Sequence, residues 1–191
     1  MASQGPKSPG TVASSATGAP GTIAWDTPAN AAAADVAVTF ASLSTGTDVF
    51  SEYLKATNFG FSIPADATVN GVVVEVMKNG GAYVFDAGTG ARLVKGGTVS
   101  GNDKADTATG WDTFAGSSYA SYGGAADLWG LTLTPADVNA STFGFVLAAE
   151  YGGVGGANAE VDHIRVTVYY TPAGGSVAPL AVHHRKQQGI A

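Results

Sequence analysis

Cysteine is absent from the 191-residue chain. That excludes a disulfide framework, a thiolate metal site, an iron–sulfur cluster and a cysteine nucleophile in one step, and leaves the redox compartment open. Charged residues are sparse at 13%, and histidine occurs only at His163, His183 and His184. No stretch approaches the roughly 20 consecutive apolar residues of a membrane-spanning helix. The opening MASQGPKSPGTVASSATGAPG also lacks the apolar run of a secretory signal. The expectation is a chain with no membrane contact and no export signal of its own.

Catalytic signatures are missing too. No GxSxG elbow, GxxxxGK[ST] loop, GxGxxG fingerprint or HExxH motif occurs. The Gly-rich run at 151–158 is followed by no helix whose N-terminal amides could hold phosphate, so it reads as a hairpin loop. Glycoside hydrolysis with retention needs two carboxylates about 5 Å apart, and Glu52, Glu75, Glu150 and Glu160 show no paired spacing. His163 falls on the outward phase of a strand, which predicts a surface histidine rather than a base. His183 and His184 lie in a terminal segment with nothing to orient a metal. Asp103 and Asp106 offer oxygens to calcium, but the intervening Lys104 favours an ordinary acidic turn. These absences predict a protein that is not an enzyme, with no catalytic residue, cofactor or metal.

Small residues are what the chain has in quantity, 27 glycines among them, with Ala, Ser and Thr supplying much of the remainder. Such a composition suits a thin sheet protein better than a helical bundle. The length suits one domain with short extensions, and a domain of about 150 residues buries roughly 70% of its surface without a staple. Residues 1–19 carry Lys7 alone and residues 172–191 carry Arg185 and Lys186, so the −6 of the whole chain leaves −9 for the body between them. An acidic body disfavours direct nucleic-acid contact, because neutralisation of phosphate by Lys and Arg supplies most non-specific affinity. Weakly basic ends favour docking onto neighbouring acidic copies within about 8 Å at physiological salt.

Composition divides the chain into an extended N-terminal arm at 1–21, a β-sandwich domain at 22–171 and a C-terminal arm at 172–191. Neither arm can build a core alone; each reads either as a frayed terminus or as an arm that orders on a partner. The candidate assembly residues are Lys7 and Val12 in the first arm and Val177, Leu180, Val182, Arg185 and Lys186 in the second. Removal of either arm is expected to leave the central domain folded.

Between the arms apolar residues recur at every second position in short segments bounded by Gly, Asn, Asp or Pro, which predicts strands. In 69–78 the inward residues are Val72, Val74 and Val76, and in 161–171 they are Ile164, Val166, Val168 and Tyr170, with His163, Arg165 and Thr167 outward. Further strands are predicted at 22–25, 36–43 (Val36, Val38 and Phe40 inward), 53–63 (Phe59, Phe61 and Ile63), 91–95, 129–133 and 143–151 (Phe143, Phe145 and Leu147). Eight short strands imply an all-β antiparallel sandwich or a barrel. One helical turn is expected at 134–138, where Thr134 can cap, Pro135 fits the first position and Asp137 favours the positive end of the dipole.

Residues 110–130 gather Trp111, Phe114, Tyr119, Tyr122 and Trp129 beside Asp112 and Asp127. Flat rings with neighbouring polar groups are how a shallow sugar site looks, which makes Trp111, Tyr119, Tyr122 and Trp129 candidate glycan-binding residues. The competing reading, which the burial preference of large aromatics favours, has Trp111, Phe114 and Trp129 closing the end of a core starved of Leu and Ile.

The string Leu54-Lys55-Ala56-Thr57-Asn58-Phe59-Gly60-Phe61-Ser62-Ile63-Pro64, with Val69-Asn70-Gly71-Val72-Val73-Val74-Glu75-Val76, Arg92-Leu93-Val94-Lys95-Gly96-Gly97, Asp127-Leu128-Trp129-Gly130-Leu131 and Asp162-His163-Ile164-Arg165-Val166-Thr167-Val168-Tyr169-Tyr170, resembles structural proteins of tailed bacteriophages and prophages. The resemblance spans about residues 8 to 171. It implies a jelly-roll-like sandwich displayed on a virion assembled in the host cytoplasm, as a capsid decoration protein or a head or tail accessory subunit, with no catalytic residues to carry over. Its expected partners are the major capsid protein or other virion proteins, together with further copies of itself, a trimer first. The alternative is a carbohydrate- or receptor-binding module of a phage tail fibre or a cell surface.

Overall fold

Val, Thr and aromatic residues at every second position favour extended backbone whose side chains alternate between two faces. The computed structural model, which describes residues 1–44, 49–111 and 118–174, turns this pattern into eleven strands among those residues. They are β1 (Ala2–Lys7), β2 (Thr11–Ser15), β3 (Thr39–Ser44), β4 (Val49–Phe50), β5 (Tyr53–Thr57), β6 (Thr68–Asn79), β7 (Val84–Lys95), β8 (Thr98–Ser100), β9 (Ala120–Gly124), β10 (Gly144–Tyr151) and β11 (Gly156–Thr171). A 3₁₀ turn, Pro28–Ala31, precedes β3, and a short helix α1, Pro135–Asn139, precedes β10. The helix is closed as its sequence predicts: Thr134 Oγ1 accepts from the Asp137 amide at 3.2 Å, and Asp137 Oδ2 accepts from the Thr134 amide at 2.8 Å.

The strands form two antiparallel sheets. One runs β1-β11-β6-β9, with β3 also on β11; the other runs β2-β5-β10-β7-β8, with β4 also on β10. Eight of these strands give β3-β11-β6-β9 facing β5-β10-β7-β8. The chain alternates sheets from β3 through β5, β6 and β7, stays for β8, then alternates again through β9, β10 and β11, which is the winding of a jelly roll. Between the sheets, Val72, Val74, Val76, Ile164, Val166 and Val168 meet Leu54, Leu93, Phe145 and Leu147, all buried. Each such side chain contributes roughly 1.5–3 kcal/mol by leaving water. Strand β10 is buried on both faces, since Val146 and Ala148 pack outward beneath Tyr53, Ala87 and Val94.

Residues 1–21 are not an arm. Ala2–Lys7 pairs with 166–170 of β11, beyond the stretch 156–161 that β3 occupies, and Thr11–Ser15 pairs with the whole of β5. Gln4 exchanges two hydrogen bonds with Ser62, at 2.9 and 3.0 Å. Lys7 Nζ donates to the Gly60 carbonyl and stands 5.3 Å above the Phe61 ring. Val12 belongs to the core at 9% exposure. Periodicity misses these strands because they hold on through backbone pairing and bury little side chain. Pro6 and Lys7 at the free edge of β1 also blunt further strand addition.

Other departures have local causes. Strand β3 buries Thr39, Ala41 and Leu43 rather than Val36, Val38 and Phe40. Asp35 accepts the Ala37 amide at 3.1 Å and Val36 takes φ 65° at 80% exposure, a turn that resets the alternation before the strand begins. Residues 129–133 form no strand, because Trp129 and Gly130 adopt φ 59° and 70° to drive the fully buried Trp129 ring inward. Glycine is required at 123, where φ is 78° and a Cβ would stand 2.6 Å from Trp129 Nε1. Residues 22–25 give only the bridge Ile23–Ser51, while 91–95 is the end of the longer β7. His163 and Thr167 keep the phase opposite Ile164, Val166 and Val168, but they are covered there rather than open to solvent. Residues 175–191, with Val177, Leu180, Val182, Arg185 and Lys186, lie outside the described residues, as do 112–117 with Phe114.

A chain beginning at Ala16 loses one strand from each sheet. At about 1 kcal/mol net per lost hydrogen bond the cost is several kcal/mol, and at roughly 2–4 °C per kcal/mol the melting temperature should drop by about 10 °C or more. Calorimetry of the two chains checks this. Melting within a few degrees of one another would mean that the segment is dispensable.

Candidate functional site

Strand β6 presents Val72, Val74 and Val76 to the core, and the same phase carries Lys78 inward at the strand's end. Opposite it on β7, Asp86 has no exposure at all. A buried carboxylate is tolerable only when donors meet its lone pairs, and Asp86 has four. Lys78 Nζ contacts Oδ1, Trp111 Nε1 donates to Oδ1 at 2.9 Å, the Asp106 amide donates to Oδ2 at 2.9 Å, and the Tyr122 hydroxyl lies 3.2 and 3.0 Å from the two oxygens. Lys78 Nζ also donates to Tyr122 Oη at 2.6 Å and sits 4.8 and 5.2 Å from the Trp111 and Tyr122 ring centroids. Burial, and then the Asp86 charge, push the Tyr122 phenol well above its ordinary value, so its hydroxyl keeps its proton.

A cleft of about 300 Å³ opens over this group, lined by Lys104, Asp106, Thr109, Ser118 and Tyr119 as well as Lys78, Trp111 and Tyr122. Its outer charges have protein partners. Lys104 bridges to Asp127 at 2.8 Å, and its hydrogen bond holds the Asp127 carboxyl below the usual range. Asp106 is lowered by the Thr109 side chain and then by the Thr109 and Ala108 amides, the latter two at 2.9 and 3.0 Å. Asp103 accepts the amides of Thr89 and Ala91, both at 2.9 Å, so its oxygens organise the loop after β8.

A second polar cluster surrounds His163. Its Nε2 lies 2.9 Å from Ser8 Oγ and its Nδ1 lies 2.8 Å from Tyr119 Oη, with the ring 7% exposed. A serine within reach of an imidazole suggests nucleophilic chemistry, but here Tyr119 occupies the ring nitrogen that an orienting carboxylate would need. The cluster instead fastens the residues after β1 to β11. Beside it Arg165 makes two bonds to Glu75, at 2.9 and 2.8 Å, and lies 3.7 Å over the Tyr119 ring. The adjacent Asp162 is buried, with Oδ1 lacking a partner.

These placements sort the residues read from sequence. Trp111 and Tyr122 meet at Asp86, whereas Trp129 lies deeper, its Nε1 donating to the Val72 carbonyl at 3.0 Å. All three are buried and present no ring face to a sugar; Tyr119 is partly exposed, but Arg165 covers its face. Lys7 and Val12 serve the body of the fold. Sequence reasoning missed Lys78, although its phase with the three valines signalled an inward lysine. Asp86 had no such signal, because the residues that follow it in β7, Ala87 to Ala91, are small or polar on both faces and carry no alternation.

Asp86→Ala removes the carboxylate on which Lys78, Trp111, Tyr122 and the Asp106 amide converge and should cost about 3–5 kcal/mol, read as a lower urea midpoint; an unchanged midpoint would contradict the role given to the pair. Burial, and then Arg165, hold His163 below its ordinary value against the opposing pull of Asp162 and Asp35. The unfolded chain therefore takes up the proton first as the pH falls below about 6.5, so stability is full above that value and declines as the pH drops toward the folded-state value. Urea titrations at about pH 7.5 and about pH 5.5 should show a larger loss for the native chain than for His163→Gln; equal losses would contradict the assignment.

No protein-family model, curated protein or solved structure matches the chain, so the reading of this site rests on its own geometry.

Proposed function

We propose that this chain is a non-enzymatic structural protein of a bacteriophage particle, a decoration subunit attached to the outer shell. The observation that carries the reading is the jelly-roll winding itself, an architecture used by viral capsid domains as well as by lectins and cupins. The lectin branch is less well served, because three of the four candidate rings are buried. The cupin-like branch needs a cluster of metal ligands, and among the described residues none gathers three of His, Cys, Asp or Glu. The sequence resemblance to phage structural proteins across residues 8 to 171 supports the capsid branch.

With residues 1–15 built into both sheets, attachment falls to residues 175–191, which carry Val177, Leu180, Val182, Arg185 and Lys186. Apolar side chains on a segment of net positive charge suit the acidic surface of a neighbouring subunit, a second copy or the major shell protein. Self-association as a trimer would multiply weak attachments through a shared base.

Purified full-length protein and a chain ending at Gly174 should both fold, and only the former should co-sediment with particles that lack the protein. Equal binding would move the contact to the sandwich. Failure of both to bind would contradict the particle role.

A further inference from the structure

We infer that Lys78 and Asp86 condense into an intramolecular amide, a self-formed cross-link between strand β6 of one sheet and strand β7 of the other. The inference is independent of the particle role. It starts from a contact made with almost no water present: Lys78 Nζ touches Asp86 Oδ1 with side-chain exposures of 10% and 0%. The indole of Trp111 and the phenol of Tyr122 wall the nitrogen at 4.8 and 5.2 Å. Two reacting groups held together in this way react as one molecule, without the entropy cost of encounter.

The surroundings supply the remaining parts. Trp111 Nε1–H and the Asp106 amide each point at one carboxyl oxygen at 2.9 Å, where they stabilise the oxygen charge that develops when nitrogen adds to Cγ. The Tyr122 hydroxyl touches all the exchanging atoms, 2.6 Å from Nζ and 3.0–3.2 Å from the carboxyl oxygens, so it can accept a proton from nitrogen while giving its own to oxygen.

The step balances without a co-reactant. The first proton passes from the Lys78 ammonium to the Asp86 carboxylate, giving an amine facing a carboxylic acid with no change in net charge. The amine lone pair adds to Cγ and forms the C–N bond. A second nitrogen proton then moves through Tyr122 to the departing oxygen, the C–O bond breaks, and one water leaves. The cleft of about 300 Å³ borders both Lys78 and Tyr122 and offers the exit. Exclusion of bulk water from the pair disfavours the reverse hydrolysis.

Mass spectrometry of the intact denatured chain tests this directly. The expected mass is one water below that of the sequence. Trypsin should fail to cut after Lys78, leaving residues 56–92 as a single peptide that carries the whole deficit. A full-mass chain cut cleanly after Lys78 would overturn the inference, because the native chain itself is measured and no variant has to fold. Lys78→Ala should restore the water; a deficit that persists there would mark a cyclic imide at an aspartate and overturn the inference equally. Tyr122→Phe keeps the ring and removes the relay, so freshly purified protein should contain uncross-linked chain, and complete reaction at the native rate would exclude the relay.

Discussion

A carboxylate with no exposure to water has to be met by donors from several directions at once, and Asp86 imposes that demand on one end of this sandwich. Its donors come from β6, from β9, from the Asp106 amide and from Trp111, so the group fixes how the two sheets stand to one another and where the chain after β8 returns. The hydrophobic layers supply most of the driving force but little direction, since valines slide past one another at small cost. The polar knot supplies register. Lys78 can reach Asp86 only when Val72, Val74 and Val76 occupy the core, and Tyr122 can reach it only from the edge position of β9.

The N-terminal segment completes what the knot begins. By lending β1 to one sheet and β2 to the other, residues 1–15 tie the sheets together at the end of each edge row, with Ser8 held to His163 between them. Pro6 and Lys7 then leave little free edge for a passing strand. In the proposed particle role, a body with a guarded edge would leave attachment to the residues after Gly174.

The sequence made the sandwich legible wherever alternation and burial coincide, as in Val72 to Val76, Ile164 to Val168 and Phe143 to Leu147, and it placed the Thr134 cap correctly. It failed where backbone pairing alone makes a strand. The Ala- and Ser-rich residues of β1 and β2 read as an unstructured arm because so little of their side-chain surface is buried. Alternation also misled across a turn at Val36, which shifts the phase of the residues after it. The candidate site was half legible: Trp111 and Tyr122 were singled out as aromatics, but their common partner Asp86 is defined by contacts that spacing does not encode.

The central claim, that this jelly roll serves as part of a particle, is tested most directly by quantitative mass spectrometry of gradient-purified particles from the native source. The account predicts that the chain co-sediments at a copy number comparable to that of the major shell protein. Its absence from intact particles would contradict the account.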